Sequence, residues 1–286
     1  MVVEKIHFGN FAAEKDILQK EHAVFVTTSQ DKALQLPQHR IIFGRKGSGK
    51  TALAQEFSRT YKEKNDFLLS IDADAISFRS ILDIYRQIEF LVGSRIELRR
   101  ILANIWEYAI FTNCMNTIVN ESAISTYSQN LSQFLTAQSL LNKKMPYLLV
   151  NALEGILQIS KNLNTKTVTS RIEKIDEYLL DTKEFKDACE DLQKVLVSSK
   201  GLLVIIDKVD TYFDIERSIK PSKVETNGEF EQYALNSILG GLVQAVYNIS
   251  VSPLGKKINF KVFLPYDKYH QLLHPFILLT KKISAF

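Results

Sequence analysis

The chain has 286 residues, 45% of them apolar and 24% charged, with a formal charge of +4. That is ample apolar material for a large core, too mild a charge to mark a nucleic-acid binder, and, with two cysteines far apart at Cys114 and Cys189, no basis for a disulfide scaffold. No basic-then-apolar leader opens the sequence and no run of about 18 uninterrupted apolar residues follows, so a cytoplasmic protein without a membrane span is expected.

Residues 1 to 38 are expected to form a prelude, with a helix around Ala12 to His22 followed by the apolar stretch Ala23 to Thr28. A short apolar run, His39-Arg40-Ile41-Ile42-Phe43, then ends in Gly44-Arg45-Lys46-Gly47-Ser48-Gly49-Lys50-Thr51. This segment satisfies the phosphate-loop pattern GxxxxGK[ST] at each fixed position, in the strand–loop–helix setting that the pattern needs. Glycines let the backbone turn tightly, so that successive N–H groups face phosphate oxygens, and the N-terminus of the next helix adds its positive dipole end. Lys50 would reach the β- and γ-phosphates, and Thr51 offers Mg²⁺ an oxygen ligand. The expected cofactors are therefore ATP, or a related nucleoside triphosphate, and Mg²⁺. Gly44, Arg45, Lys46, Gly47, Ser48, Gly49, Lys50 and Thr51 form the binding loop.

Asp66 to Asp72 reads as a second buried strand. Asp72 and Asp74 at its end could touch nucleotide or metal, but loop-capping carboxylates are the simpler reading. From about residue 77 to 198 there are few glycines and one proline, Pro146, with apolar residues at helical spacing such as Ile81, Ile84, Tyr85 and Ile88. The spacing predicts a large helical insertion between two strands of the sheet. Trp106, Tyr108, Phe111 and the Tyr178-Leu179-Leu180 group fall at helical spacing and read as core more readily than as a ligand surface.

Gly201 to Asp207 is a glycine-led apolar run ending in a carboxylate, the form of a buried parallel strand that delivers an acid to its carboxyl edge. Asp207 is the Walker B candidate and joins Thr51 as the expected metal ligand. Asp210 follows in Asp207-Lys208-Val209-Asp210 and is the candidate to position the attacking water, with Lys50 and Asp210 as the catalytic pair. Ile258 to Leu264 reads as another core strand; Asp267 beyond it reads as a turn acid.

With both motifs in place, the chain resembles bacterial P-loop ATPases of the ASCE division, related to the STAND and KAP groups. The resemblance rests on Phe43 to Leu53 and Leu202 to Asp210, and more weakly on Leu98 to Tyr108 and Phe260 to Asp267. It implies an α/β P-loop fold with a mostly parallel sheet over residues 39 to 286, ATP hydrolysis by a switch or motor, and a setting such as defence against phage and mobile DNA. Two departures stand out. Lys208 occupies the place after the strand acid where many hydrolysing relatives carry Glu, and the sequence reaches Phe286 without the expected helical lid. A non-hydrolysing regulatory switch, with the insertion as a surface for a protein partner or a second copy, and a DNA-acting motor component are the alternatives. Arg99, Arg100, Arg171 and Arg217 are the arginines available to complete a neighbouring site.

Overall fold

Four runs rich in β-branched and aromatic residues become strands in the computed structural model, which describes residues 33–45, 47–62, 67–72, 85–89, 95–121, 126–162, 168–208 and 227–266. The prelude up to residue 32, Lys46, Asp74, Asp210, Arg217, Asp267 and the lid expectation beyond Tyr266 lie outside these residues. The strands are β1 (Ile41–Gly44), β2 (Phe67–Asp72), β3 (Leu202–Asp207) and β4 (Ile258–Pro265). They form one sheet in the order β1-β4-β3-β2, with every neighbouring pair parallel. The helices are α1 (Lys50–Lys62), α2 (Arg95–Glu121), α3 (Thr126–Ala137), α4 (Met145–Asn162), α5 (Val168–Leu179), α6 (Lys183–Ser198) and α7 (Asn227–Val251). The fold is α/β, and the described residues between β2 and β3 are helical apart from short connections.

A parallel sheet must be covered on both faces, and the period of two along each strand divides the core between them. On one face Ile42, Leu203, Ile205 and Phe263 meet Leu53, Ala54 and Phe57 of α1. On the other, Leu202, Val204, Ile206, Phe260, Val262 and Leu264 join one continuous core with α2 to α7. Trp106 and Phe111 belong to that core, whereas Tyr178 is 45% exposed and departs from the core reading.

The second core is close-packed where α2 crosses α7. A Cβ added at Gly241 would lie 2.7 Å from Leu102 Cβ and 3.0 Å from the Leu102 carbonyl carbon, so the helices approach backbone to backbone at that point. Trp106 Nε1 donates to Ile238 O at 2.9 Å, which satisfies the one polar atom that a buried indole brings with it. The segment Tyr233–Val251 is long and apolar enough to cross a membrane by length and composition, but two-thirds of it is buried within this fold. Phe185 begins the buried face of α6, whose start is capped by Thr182 accepting from the Phe185 N–H, and packs near Tyr108, Phe111 and Phe134.

Two polar side chains sit inside the α1 face. Lys261 is fully buried within the apolar run of β4, and its ammonium donates to Leu34 O, Leu36 O and His39 O at 2.6, 2.8 and 3.0 Å. Its ring neighbour is Phe57, 5.6 Å from Nζ to centroid. Burial, with the Arg40 charge adding to it, pulls the ammonium down to a pKa of about 8. Nearby, Asn259 Nδ2 donates to Tyr61 Oη, which donates on to Gln35 O. Residues 33 to 40 are thereby strapped over β4 before the chain enters β1.

Candidate functional site

Because the strands are parallel, the turns after β1 and β3 open on the same carboxyl edge of the sheet. The register sets Gly44 of β1 beside Pro265 of β4, and Ile206 of β3 beside Val262 of β4. One strand therefore separates the phosphate-type loop from the acid-bearing strand, a spacing of roughly 10 Å at about 4.8 Å per strand. The chain leaves β1 into α1 on one face, while α7, the next described helix after β3, lies against β4 on the other. Successive connections that part to opposite faces leave a crevice between them, which is where open parallel sheets bind ligands.

The loop is shaped by its glycines. Gly47 and Gly49 have φ of +78° and +83°, the left-handed region in which a Cβ is strained. Ser48 N donates to Arg45 O at 3.1 Å and closes the turn, and Leu53 N donates to Gly49 O at 2.9 Å as α1 begins. A Cβ at Gly44 would meet Ser48 Oγ at 2.5 Å and Lys50 Cγ at 2.9 Å, so the loop folds back directly over that residue. The first turn of α1 carries no acidic side chain, leaving the positive end of its dipole uncompensated from within the helix. Lys50 Nζ donates to Gly44 O at 3.2 Å and Arg45 O at 3.3 Å, so the lysine lies along the loop. Arg45 is exposed and stands over the Tyr266 ring, 5.9 Å from its centroid.

Strand parity decides which way the β3 acid faces. Leu203 and Ile205 point to α1, and Asp207, two residues further on, follows them to the same side. Thr51, Ala54, Gln55 and Ser58 of α1 line one small cleft together with Ser70, Ile71, Ile205, Asp207 and Lys208. Thr51 and Asp207, distant in sequence, are thus brought together, and Asp207 is only 8% exposed. The cleft holds about 120 Å³, well below the ~300–1,000 Å³ of a typical whole-ligand pocket, and so suits one end of a ligand. Lys208 adopts φ +61°, the left-handed region, directly after the buried acid.

Thr51 and Asp207 offer a hydroxyl and a carboxylate, the hard oxygen donors that Mg²⁺ takes alongside phosphate and water. Among the described residues no group of three or more His, Cys, Asp or Glu side chains gathers, as a metal held by protein alone would need. The donor set fits a cation that arrives with a phosphate ligand.

The structure gives the surroundings of two of the four arginines, both on α2. Arg99 is half-buried on α2, with its guanidinium near Gly240 of α7. Arg100 is ion-paired with Asp176, which also accepts from Asn104. The Arg100 side chain nevertheless stays 58% exposed.

Sequence reasoning missed a polar seam in the helical core. Glu107 accepts from Asn248 Nδ2 at 2.5 Å, and Gln244 Nε2 donates to Asn248 Oδ1 at 2.7 Å. Burial raises Glu107 from 4.5 to about 7, the Asn248 bond works against that rise, and the Asp176 charge adds to it. The signal was present as Arg100, Asn104 and Glu107, spaced along one face of an otherwise apolar helix.

No protein-family model matches the chain, and no solved structure does. A stretch of 112 residues, 39% of the chain, is 24% identical to a D-aminoacyl-tRNA deacylase of Clostridium botulinum (strain Loch Maree / Type A3), of which it covers 74%. Similarity at that level assigns neither fold nor residues.

Proposed function

We propose that the protein is a cytoplasmic P-loop ATPase of the ASCE type, binding Mg²⁺-ATP at the carboxyl edge of its sheet and acting as a molecular switch. One observation carries the reading: the GxxxxGKT loop and the acid-ended strand, far apart in sequence, converge so that Thr51 and Asp207 line a single cleft. The left-handed glycines and the uncompensated helix start add to its support.

In this reading the amides of Gly47 to Thr51 hold the β-phosphate, and Lys50 leaves its carbonyl partners to reach the β- and γ-oxygens. Thr51 and Asp207 would hold Mg²⁺, which supplies charge neutralisation on the phosphates when bound. Asp210, three residues beyond Asp207 in sequence, orients water for in-line attack. The β4 strand lies between the two motif-bearing strands.

The second reading, a switch that binds without useful turnover, is favoured by Lys208 in the position next to the strand acid. A lysine there is a cation and cannot serve as a carboxylate base.

Calorimetric titration with Mg²⁺-ATP, run beside phosphate release, tests both. Intact protein should bind, Lys50→Ala should lose at least about 100-fold in affinity, roughly 2.7 kcal/mol, and Asp210→Ala should lose turnover while keeping affinity. Binding without phosphate release selects the switch; no binding by the intact chain ends the nucleotide reading. A D-aminoacyl-tRNA incubated in the same series checks the hydrolysis named for the C. botulinum protein.

A further inference from the structure

Lys208 combines three features. It is a non-glycine residue held at φ +61°, a conformation that is strained for a side chain with a Cβ. It directly follows the buried acid of β3. It also lines the cleft whose other walls are Thr51, Ser70 and Asp207. An extended residue at this point would continue the alternation of the strand and carry the side chain of residue 208 to the opposite face from Asp207. The left-handed turn instead keeps the lysine with the groups on the α1 side.

We propose that Lys208 is the residue by which this site distinguishes a nucleoside triphosphate from a diphosphate. The proposal rests on the nucleotide reading given above. The loop amides at the start of α1 supply donors that a diphosphate satisfies as well as a triphosphate does, and Lys50, which spans the β- and γ-oxygens, keeps a partner in either. The cleft beyond Thr51 takes only one end of a ligand, and a phosphoryl group entering it meets the hydroxyls of Thr51 and Ser70. Asp207 in the same cleft would repel that group unless a cation stands with it. Lys208 supplies a fixed positive charge there, in addition to any metal carried by the nucleotide, and so makes the terminal phosphate the favoured occupant. The left-handed backbone is the structural cost of placing it there.

The test is calorimetric titration of intact protein with Mg²⁺-ATP and, separately, Mg²⁺-ADP, repeated for Lys208→Ala, Lys208→Gly and Lys208→Arg. Lys208→Ala and Lys208→Gly should each lose about tenfold in ATP affinity and change less than about twofold for ADP, while Lys208→Arg retains the preference. The glycine variant removes the charge while accepting the left-handed backbone, so it separates the ammonium from the turn. Equal losses for both nucleotides, unchanged affinities, or a loss in the alanine variant alone would overturn the assignment. An intact chain that binds neither nucleotide overturns the underlying nucleotide reading, and the lysine assignment with it; an intact chain that binds both equally overturns the lysine assignment alone.

Discussion

Among the described residues, one face of the sheet is covered by one helix, α1, which rests on Ile42, Leu203, Ile205 and Phe263, and polar side chains, Asp207 and Lys261, stand among them. On the other face six helices build a deep core in which Gly241 lets two helix backbones touch. The difference separates two tasks. The thick face supplies most of the buried apolar area and hence most of the hydrophobic stabilisation. The thin face leaves space at its edge for a cleft, and Lys261 within it is secured by three specific hydrogen bonds in place of bulk.

If the thick face governs stability, its largest side chain should show that first. Trp106→Ala removes a buried indole and the bond to Ile238 O, and should cost about 4 kcal/mol in denaturant unfolding. Nucleotide affinity measured on the remaining folded protein should not change. A loss of affinity together with stability would mean that the two faces are not independent.

The thin face predicts a different kind of sensitivity. Lys261→Met keeps much of the side-chain volume but leaves the carbonyls of Leu34, Leu36 and His39 without their donor, at about 3 kcal/mol. Hydrogen exchange should then rise at residues 33 to 40 and in β1 ahead of the rest of the sheet. Uniform exchange across both faces would show that the strap carries no local load.

The smallest effect is expected where a polar seam interrupts the thick face. Glu107 binds its proton more tightly when folded, with its value raised from 4.5 to about 7, so it costs nothing well below 4.5, progressively more between 4.5 and 7, and a constant amount above that. Glu107→Gln should therefore stabilise the protein by about 2 kcal/mol at pH 8 and by nothing at pH 4. Denaturation midpoints at the two pH values check this, and an equal gain at both would rule out the buried carboxyl as its source.

The apolar runs ending in Gly44, Asp72 and Asp207, and the run from Ile258 to Leu264, were legible as strands because each is short, continuous and bounded by turn residues. The order of those strands was not, since pairing between residues far apart leaves no local trace, and nothing in the sequence places β4 between β1 and β3. The meeting of Thr51 with Asp207 depends on that order and on the parity of β3. Lys261 was hidden for a related reason: a lysine in an apolar strand reads as an exposed position, and its three carbonyl partners come from a segment more than 200 residues earlier. The partner of Arg100 was hidden in the same way, since Asp176 lies on another helix 76 residues further along.

The strap that fixes residues 33 to 40 also has a mechanical meaning. Lys261 grips three carbonyls, and the adjoining Val262 N–H donates to Arg40 O at 2.8 Å, so neighbouring residues of one strand hold the approach to β1 at four points. A pull on the chain ahead of Ala33 would load these bonds together instead of unzipping them in turn. The anchor is β4, the strand that borders both the loop-bearing and the acid-bearing strands, so the segment before β1 is tied directly to the strand beneath the crevice.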